Sequence, residues 1–282
     1  MKDLKQLNAD NWGRTSEQYA ERAHKGSGMM MPLIRNYTQG ASQVVKSSSP
    51  KVIDVASGAG EPGISLAKHF TSGNILITDI APGMVEQAKK MCANADVKNV
   101  SFAVADAEDL SAYPDGSFDL LTCNCGLMFM PHYDRALSEF RRVLKPGGAA
   151  MFSVWGPPGK TNLIGVFHDI RDRIAPGESY FADPGCLGSK DKLHGAVEKA
   201  GFSAFDIREV NVPIKFTKEA TPMVLENAVV SELLNRLKAA GKPDIYQQAQ
   251  DAYMASVEEH GYLHGDEMIF PENIALLVTA SI

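Results

Sequence analysis

Two spacings of apolar residues alternate along most of this chain. Short runs (Val52, Ile53, Val55; Ile75, Leu76, Ile77; Phe118, Leu120, Leu121) are separated by stretches where apolar residues recur every three or four positions (Ile64, Leu66, Ala67, Phe70; Met84, Val85, Ala88). The first spacing suits strands buried on both faces, and the second suits helices with one apolar face. Their alternation predicts an α/β fold: a doubly wound, seven-stranded, mainly parallel sheet. Strands are expected over 51–56, 74–80, 100–105, 118–123, 149–155, 205–212 and 274–282, and helices over 83–93, 132–144 and 193–200. Pro114-Asp115-Gly116-Ser117 reads as a turn, and Lys145-Pro146-Gly147-Gly148 as a helix stop. Residues 1–49 read as an N-terminal helical lid, with Trp12, Tyr19, Ala20 and Ala23 on one helical face and Met29, Met30, Met31, Leu33 and Ile34 opening another. The core is expected over 50–212 plus 269–282. The stretch 213–268, including LENAVVSELLNRLKAAG, reads as a helical insertion between the last two strands, placed to cover a pocket.

Composition narrows the functional classes without choosing one. A hydrophobic share of 44% and a charged share of 22% are ordinary for a globular protein, and 282 residues suit one large domain with a cap. The net charge of −6 argues against a nucleic-acid partner, which is gripped by clustered Lys and Arg. Arg141, Arg142 and Lys145 read as a solvated helix face. The 4 cysteines are too few for a disulfide scaffold. Cys123-x-Cys125 has no second Cys/His cluster at zinc spacing, so no metal site is expected. No apolar run approaches the roughly 20 residues of a membrane span, and the polar MKDLKQLNADNWGR start points to the cytoplasm.

The chemistry concentrates at residues 52–63, where an apolar strand runs into Gly58-Ala59-Gly60-Glu61-Pro62-Gly63 and then into a helix. Glycines let a backbone pass close to a ligand, and a helix N-terminus offers unpaired N–H groups. Asp79 follows Gly58 by 21 residues, at the end of the next strand. That spacing points to a ribose-bearing cofactor and matches a dinucleotide fingerprint, whose acid lies about 20 residues on. Asp54 suits a cationic ligand better than a pyrophosphate. Asp106-Ala107 follows the third strand, where an acid can accept from an adenine amino group. No Tyr-x-x-x-Lys pair is present for short-chain dehydrogenase chemistry.

Four strings in order carry a resemblance: DVASGAGEPG at 54–63, TDIAPGMVEQAKK at 78–90, ADAEDLSAYPDGSFDLL at 105–121 and RRVLKPGGAAMFSVWG at 141–156. Through them the chain resembles the class I S-adenosylmethionine-dependent methyltransferases. Within these it is most similar to the small-molecule branch that includes the ubiquinone/menaquinone-biosynthesis C-methyltransferases. Ala56 departs from the family's first glycine. The resemblance implies a Rossmann-like methyltransferase fold and S-adenosyl-L-methionine as cofactor; it does not fix the substrate, and the Met- and aromatic-rich candidate walls given below favour a small, partly apolar methyl acceptor. It implies that the turn Asp54, Ala56, Ser57, Gly58, Gly60 holds the methionine end, with Asp54 near its ammonium. Asp79 takes the ribose hydroxyls, Ile80 and Met84 flank the adenine, and Asp106 with the Ala107 backbone reads its edge. Cys123 and Asn124 face the methionine part, and Tyr19 closes over the cofactor.

Methyl transfer from a sulfonium needs nucleophile and methyl held near contact, with a base for acidic nucleophiles. His132 is the candidate catalytic base, with His24 in the lid a second. Expected acceptor walls are Met29–Met31, Met128, Phe129, Trp155 and parts of 213–268. The residues leave open O-, N-, C- or S-methylation, a non-methylating or cyclase-like cofactor binder, and a nicotinamide enzyme.

Overall fold

The computed structural model describes residues 4–25, 30–180 and 182–282, with the side chains of 22–25 and 223 excepted. A seven-stranded sheet is built from β1 (Lys51–Asp54), β2 (Asn74–Asp79), β3 (Val100–Val104), β4 (Phe118–Cys123), β5 (Leu144–Trp155), β6 (Ala204–Asn211) and, last in the chain, β10 (Ile274–Ser281). Their order is β3-β2-β1-β4-β5-β10-β6. The first five are parallel neighbours, and β10 lies antiparallel between β5 and β6. The order reverses between β1 and β4, so both strands point their C-terminal ends into one crevice.

Strand pleating sends successive residues to opposite faces, and here each face meets its own core. Val52, Met151 and Leu277 belong to one apolar cluster; Ile53, Phe152 and Leu276 belong to the other. These strands therefore read as continuous apolar runs. Each fully buried Leu or Ile adds roughly 1.5–3 kcal/mol. The first face is covered by α3 (Met31–Val44), α4 (Gly63–His69) and α5 (Pro82–Asn94); the second is covered by α6 (Tyr133–Val143) and α8 (Lys190–Lys199). Arg142 on α6 is not simply solvated: it bonds Glu139, Asp115 and the carbonyls of Tyr113 and Leu110, which pins the 114–117 turn. β5 begins at Leu144 rather than near 149, because Leu144 already pairs with Phe118 and a register shift before Leu120 absorbs Pro146 and Gly147.

The N-terminal segment divides. Helices α1 (Leu4–Arg14) and α2 (Ser16–Lys25) lie against α5, while α3 sinks onto the sheet, burying Leu33, Tyr37 and Ala41 completely. Between β6 and β10 the chain forms α9 (Thr221–Leu225), α10 (Ala228–Ala239) and α11 (Ile245–Glu259). It also forms a small antiparallel sheet of β7 (Ile214–Thr217), β8 (Leu263–His264) and β9 (Glu267–Phe270), which the sequence pattern does not announce. A further unannounced helix, α7 (Asn162–Ile174), packs on α11, and its Ile164, Phe167 and Ile170 join the cluster that holds Val229, Leu233 and Tyr253. The covering layer is thus continuous with one core of the sheet.

Candidate functional site

The chain leaves β1 through a turn that turns back over its own strand. Ala56, Gly58 and Gly60 have φ of +50°, +55° and +107°. Gly58 needs more than freedom of φ, because a Cβ there would lie 3.0 Å from the Tyr19 ring. Ala56 tolerates its position at a left-handed cost of about 1 kcal/mol, so the turn survives the missing glycine. Beneath the turn sits Asp54, wholly buried. Its Oδ2 accepts from the Gly63 amide at 2.9 Å and its Oδ1 from Thr122 Oγ1 at 2.7 Å, while its carbonyl accepts from Ser57 Oγ at 2.7 Å. Burial pushes its pKa up to about 7 against those hydrogen bonds. Asp54 lines neither of the two cavities described below, and its side chain ties the turn to the first turn of α4 and to β4; this places it beneath the expected contact with a ligand ammonium.

A cavity of about 240 Å³ opens above the strand ends. Tyr19, Ala56, Gly58, Asp79, Ile80, Met84, Asp106, Ala107 and Asn124 all line it, as does Trp12. Asp79 Oδ2 accepts from the Gly58 amide and Oδ1 from the Ala81 amide, both at 2.9 Å. Each oxygen keeps lone-pair capacity for a further donor, so the acid can hold two vicinal hydroxyls while fixing the glycine turn. Burial raises its pKa, opposed by those amides. Asp106 is more heavily engaged: Oδ1 accepts from the Glu108 amide at 2.8 Å and Oδ2 from Lys5 Nζ at 2.7 Å. Lys5, from α1, also pairs with Glu108 at 2.7 Å.

The far wall is held by a buried polar cluster. Tyr37 Oη lies 3.0 Å from both the Cys123 carbonyl and Ser153 Oγ. Ser153 Oγ accepts from the Cys125 amide at 3.0 Å and donates to Asn124 Oδ1 at 3.1 Å, which orients the Asn124 amide. The cluster links α3 and β5 to the end of β4, and so fixes residues 124–126 at the cavity.

A second cavity, of about 400 Å³, joins the first at Trp12, Tyr19, Met30, Asn124, Phe129 and Trp155. Its body is apolar: Met31, Ile34, Ile64, Met91, Leu163, Phe167 and, from the covering layer, Ile214, Phe216, Val224 and Val229. Trp12 stacks edge-on against Tyr19 and Phe129, at 5.9 and 5.3 Å between ring centres. It is therefore a wall of both cavities and not only a packing residue of its own helix.

Several expectations need correcting. Cys123 is fully buried behind the wall, and Cys125 faces the first cavity instead. The strand ends at Cys123 and Cys125 beyond it takes φ +52°, so the period-2 alternation does not carry to it. Ser57 faces the larger cavity, and Gly60 lies under the turn against Ile64 and Ala88. His132 is exposed at the start of α6 and lines neither cavity; its backbone amide donates to Glu108 Oε1 at 2.8 Å. Met128 is buried packing. The His24 side chain and Met29 lie outside the described residues. Lys5, Glu108, Cys125 and Glu61 were not expected at the cavities; of these, only Glu61, inside the glycine motif, had a local sequence signal. Among the described residues no group of three or more His, Cys, Asp or Glu could hold a metal ion, and no helix is long and apolar enough to cross a membrane.

Residues 52–148 match the methyltransferase-domain family. The ubiquinone/menaquinone biosynthesis C-methyltransferase of Cupriavidus metallidurans is 39% identical over 125 residues, covering 43% of this chain and 48% of that protein. The demethylmenaquinone methyltransferase of Deinococcus radiodurans is 32% identical over 136 residues, covering 48% of this chain and 56% of that protein. The chain thus spans about half the length of these relatives. Among solved structures, the YcgJ protein of Bacillus subtilis superposes with a TM-score of 0.58 at 19% identity, over 87% of this chain and 98% of that one. The fold is the Rossmann-like fold of class I methyltransferases.

Proposed function

We propose that this chain, built around a methyltransferase domain at residues 52–148, is an S-adenosylmethionine-dependent methyltransferase that modifies a small, largely apolar acceptor. The observation that carries this reading is the pair of joined cavities. One ends in an acid with spare acceptor capacity for a ribose, and the other is apolar and capped. When bound, the cofactor supplies an electrophilic methyl on sulfur. Asp79 would hold the ribose, Met84 and Ile80 the adenine faces, and Ala107 and Asp106 its edge. The Ala56–Gly58 backbone and Asn124 would take the methionine end. The chain's own contribution is alignment and dryness: Trp12, Tyr19 and Phe129 close the junction, so an acceptor meets the methyl without competing water. The relatives' names support an acceptor of the quinone-precursor class, an apolar ring carrying hydroxyls, and the apolar walls of the larger cavity suit such a body.

Calorimetric titration with S-adenosylmethionine, S-adenosylhomocysteine and NADH tests the reading. The first two are expected to bind and NADH not to. Replacing Asp79 by Ala is expected to weaken S-adenosylhomocysteine by about 1–3 kcal/mol, the range for lost hydrogen-bond partners. Binding of NADH alone would transfer the site to a nicotinamide cofactor.

A further inference from the structure

Among the described residues the larger cavity is lined by one carboxylate, Glu61, at the point where the glycine turn enters α4. The other polar side chains of its deep wall are occupied by backbone. Thr161 Oγ1 donates to the Ile274 carbonyl, Asn227 caps α10 and bonds the Val224 carbonyl, and Asn273 bonds the Leu163 amide and the Phe270 carbonyl. Glu61 itself is held by Ser65, whose amide donates to Oε2 at 3.2 Å. Among the described residues it forms no ion pair; Lys68, in the last turn of α4, lines the same cavity, is exposed and acts on it through its charge. Glu61 is half-buried and lines the cavity together with Ile64, Tyr19 and Ala59.

From this geometry we infer that Glu61 is a catalytic residue of the proposed methyl transfer, taking the proton from the acceptor's nucleophilic hydroxyl. The inference rests on the methyltransferase reading above. In the step, the acceptor O–H bond breaks and its proton passes to a Glu61 oxygen. For O-methylation the freed oxygen pair bonds the methyl carbon. For methylation of a phenolic ring, the negative charge passes to the ring carbon, whose pair bonds the methyl. In both cases the carbon–sulfur pair stays on sulfur as a neutral thioether. Burial raises the Glu61 pKa, with Ser65 and Lys68 opposing, which brings the carboxylate closer to the basicity a proton acceptor needs. The charged and titratable groups around it are Lys68 on α4, Tyr19 from α2 in the same cavity lining, Asp54 beneath the turn and Cys92 on α5, the last two coupled to it electrostatically. With His132 outside both cavities, Glu61 fills the role that the histidine was expected to fill.

The test uses the full chain and 1,4-dihydroxynaphthalene, handled anaerobically, as acceptor probe. Glu61→Gln keeps an acceptor for the Ser65 amide but cannot take a proton. The variant is expected to bind S-adenosylhomocysteine within about threefold of the wild type. Its binding of the diol, with S-adenosylhomocysteine already bound, is expected to weaken at least tenfold. Methyl transfer should fall on the order of a hundredfold or more, as for a lost general base, and Glu61→Asp should restore part of it. The wild-type rate should rise with pH and the Gln variant's should not follow. Loss of S-adenosylhomocysteine affinity by tenfold or more in Glu61→Gln would make the residue a holder of the methionine ammonium and overturn the inference. So would diol binding and transfer equal to wild type, or a wild type that binds S-adenosylhomocysteine but not the diol. A wild type that takes no S-adenosylhomocysteine fails earlier, at the cofactor site.

Discussion

Asp54 has left water entirely, and hydrogen bonds from Thr122 and Gly63 only partly offset that loss. Its pKa stands at about 7 against an ordinary 3.8. The folded state therefore holds this proton more tightly than the unfolded chain. The stability so gained is present at low pH and is lost as pH rises from about 4 through about 7. Urea midpoints at pH 5 and pH 8 are expected to show the wild type losing on the order of 2–3 kcal/mol more than Asp54→Asn over that interval. Equal losses would mean that the carboxylate is already ionised in the fold. The same residue shows what a sequence conceals. Strand, turn and acid were all legible from spacing, but spacing does not say whether a side chain at a strand end points into a crevice or beneath its turn. The exchange of Cys123 for Cys125 has a similar origin: the strand ends at Cys123, and the alternation from which facing is read does not carry to Cys125. Asp79, whose backbone partners fix it at the rim, stands where its spacing placed it.

At the level of elements, α1 is the least predictable contributor. Its apolar pattern is weak, yet it sends Lys5 between Asp106 and the buried Glu108, and Asn8 Nδ2 to the Phe129 carbonyl at 2.6 Å. These are long-range contacts, and nothing local to residues 4–14 signals them. The core strands were readable because their apolar runs are demanded by two cores; α1 is held by polar groups that any solvated helix could carry. Replacing Lys5 by Met leaves Glu108 without its cation and is expected to cost about 1–3 kcal/mol. Cleavage by a protease within residues 4–25 should become faster, and S-adenosylhomocysteine should bind more weakly, since Lys5 borders its proposed cavity. Unchanged cleavage would show that Trp12 and Asn8 suffice to seat the helix.

Across the whole molecule, the sheet order follows from alternating strands and helices, whereas the small β7-β9-β8 sheet and α7 do not. Two-residue and four-residue strands carry too few positions for a period to show. Deleting 274–282 is expected to leave an insoluble chain, because β5 and β6 would each present an unpaired edge. A soluble, cooperatively melting truncation would contradict that dependence. The place of β10 also bears on the order in which this protein can be made. During synthesis every other strand of the main sheet leaves the ribosome before the one that joins β5 to β6. Until then β6 has no partner in that sheet, and the covering layer is translated over an open edge. Closing the gap requires a contact between residues more than a hundred positions apart, such as Leu277 with Ser153, and such contacts form slowly. A nascent chain of this design stays exposed until residues 274–281 emerge, and over that interval it would be most dependent on chaperones.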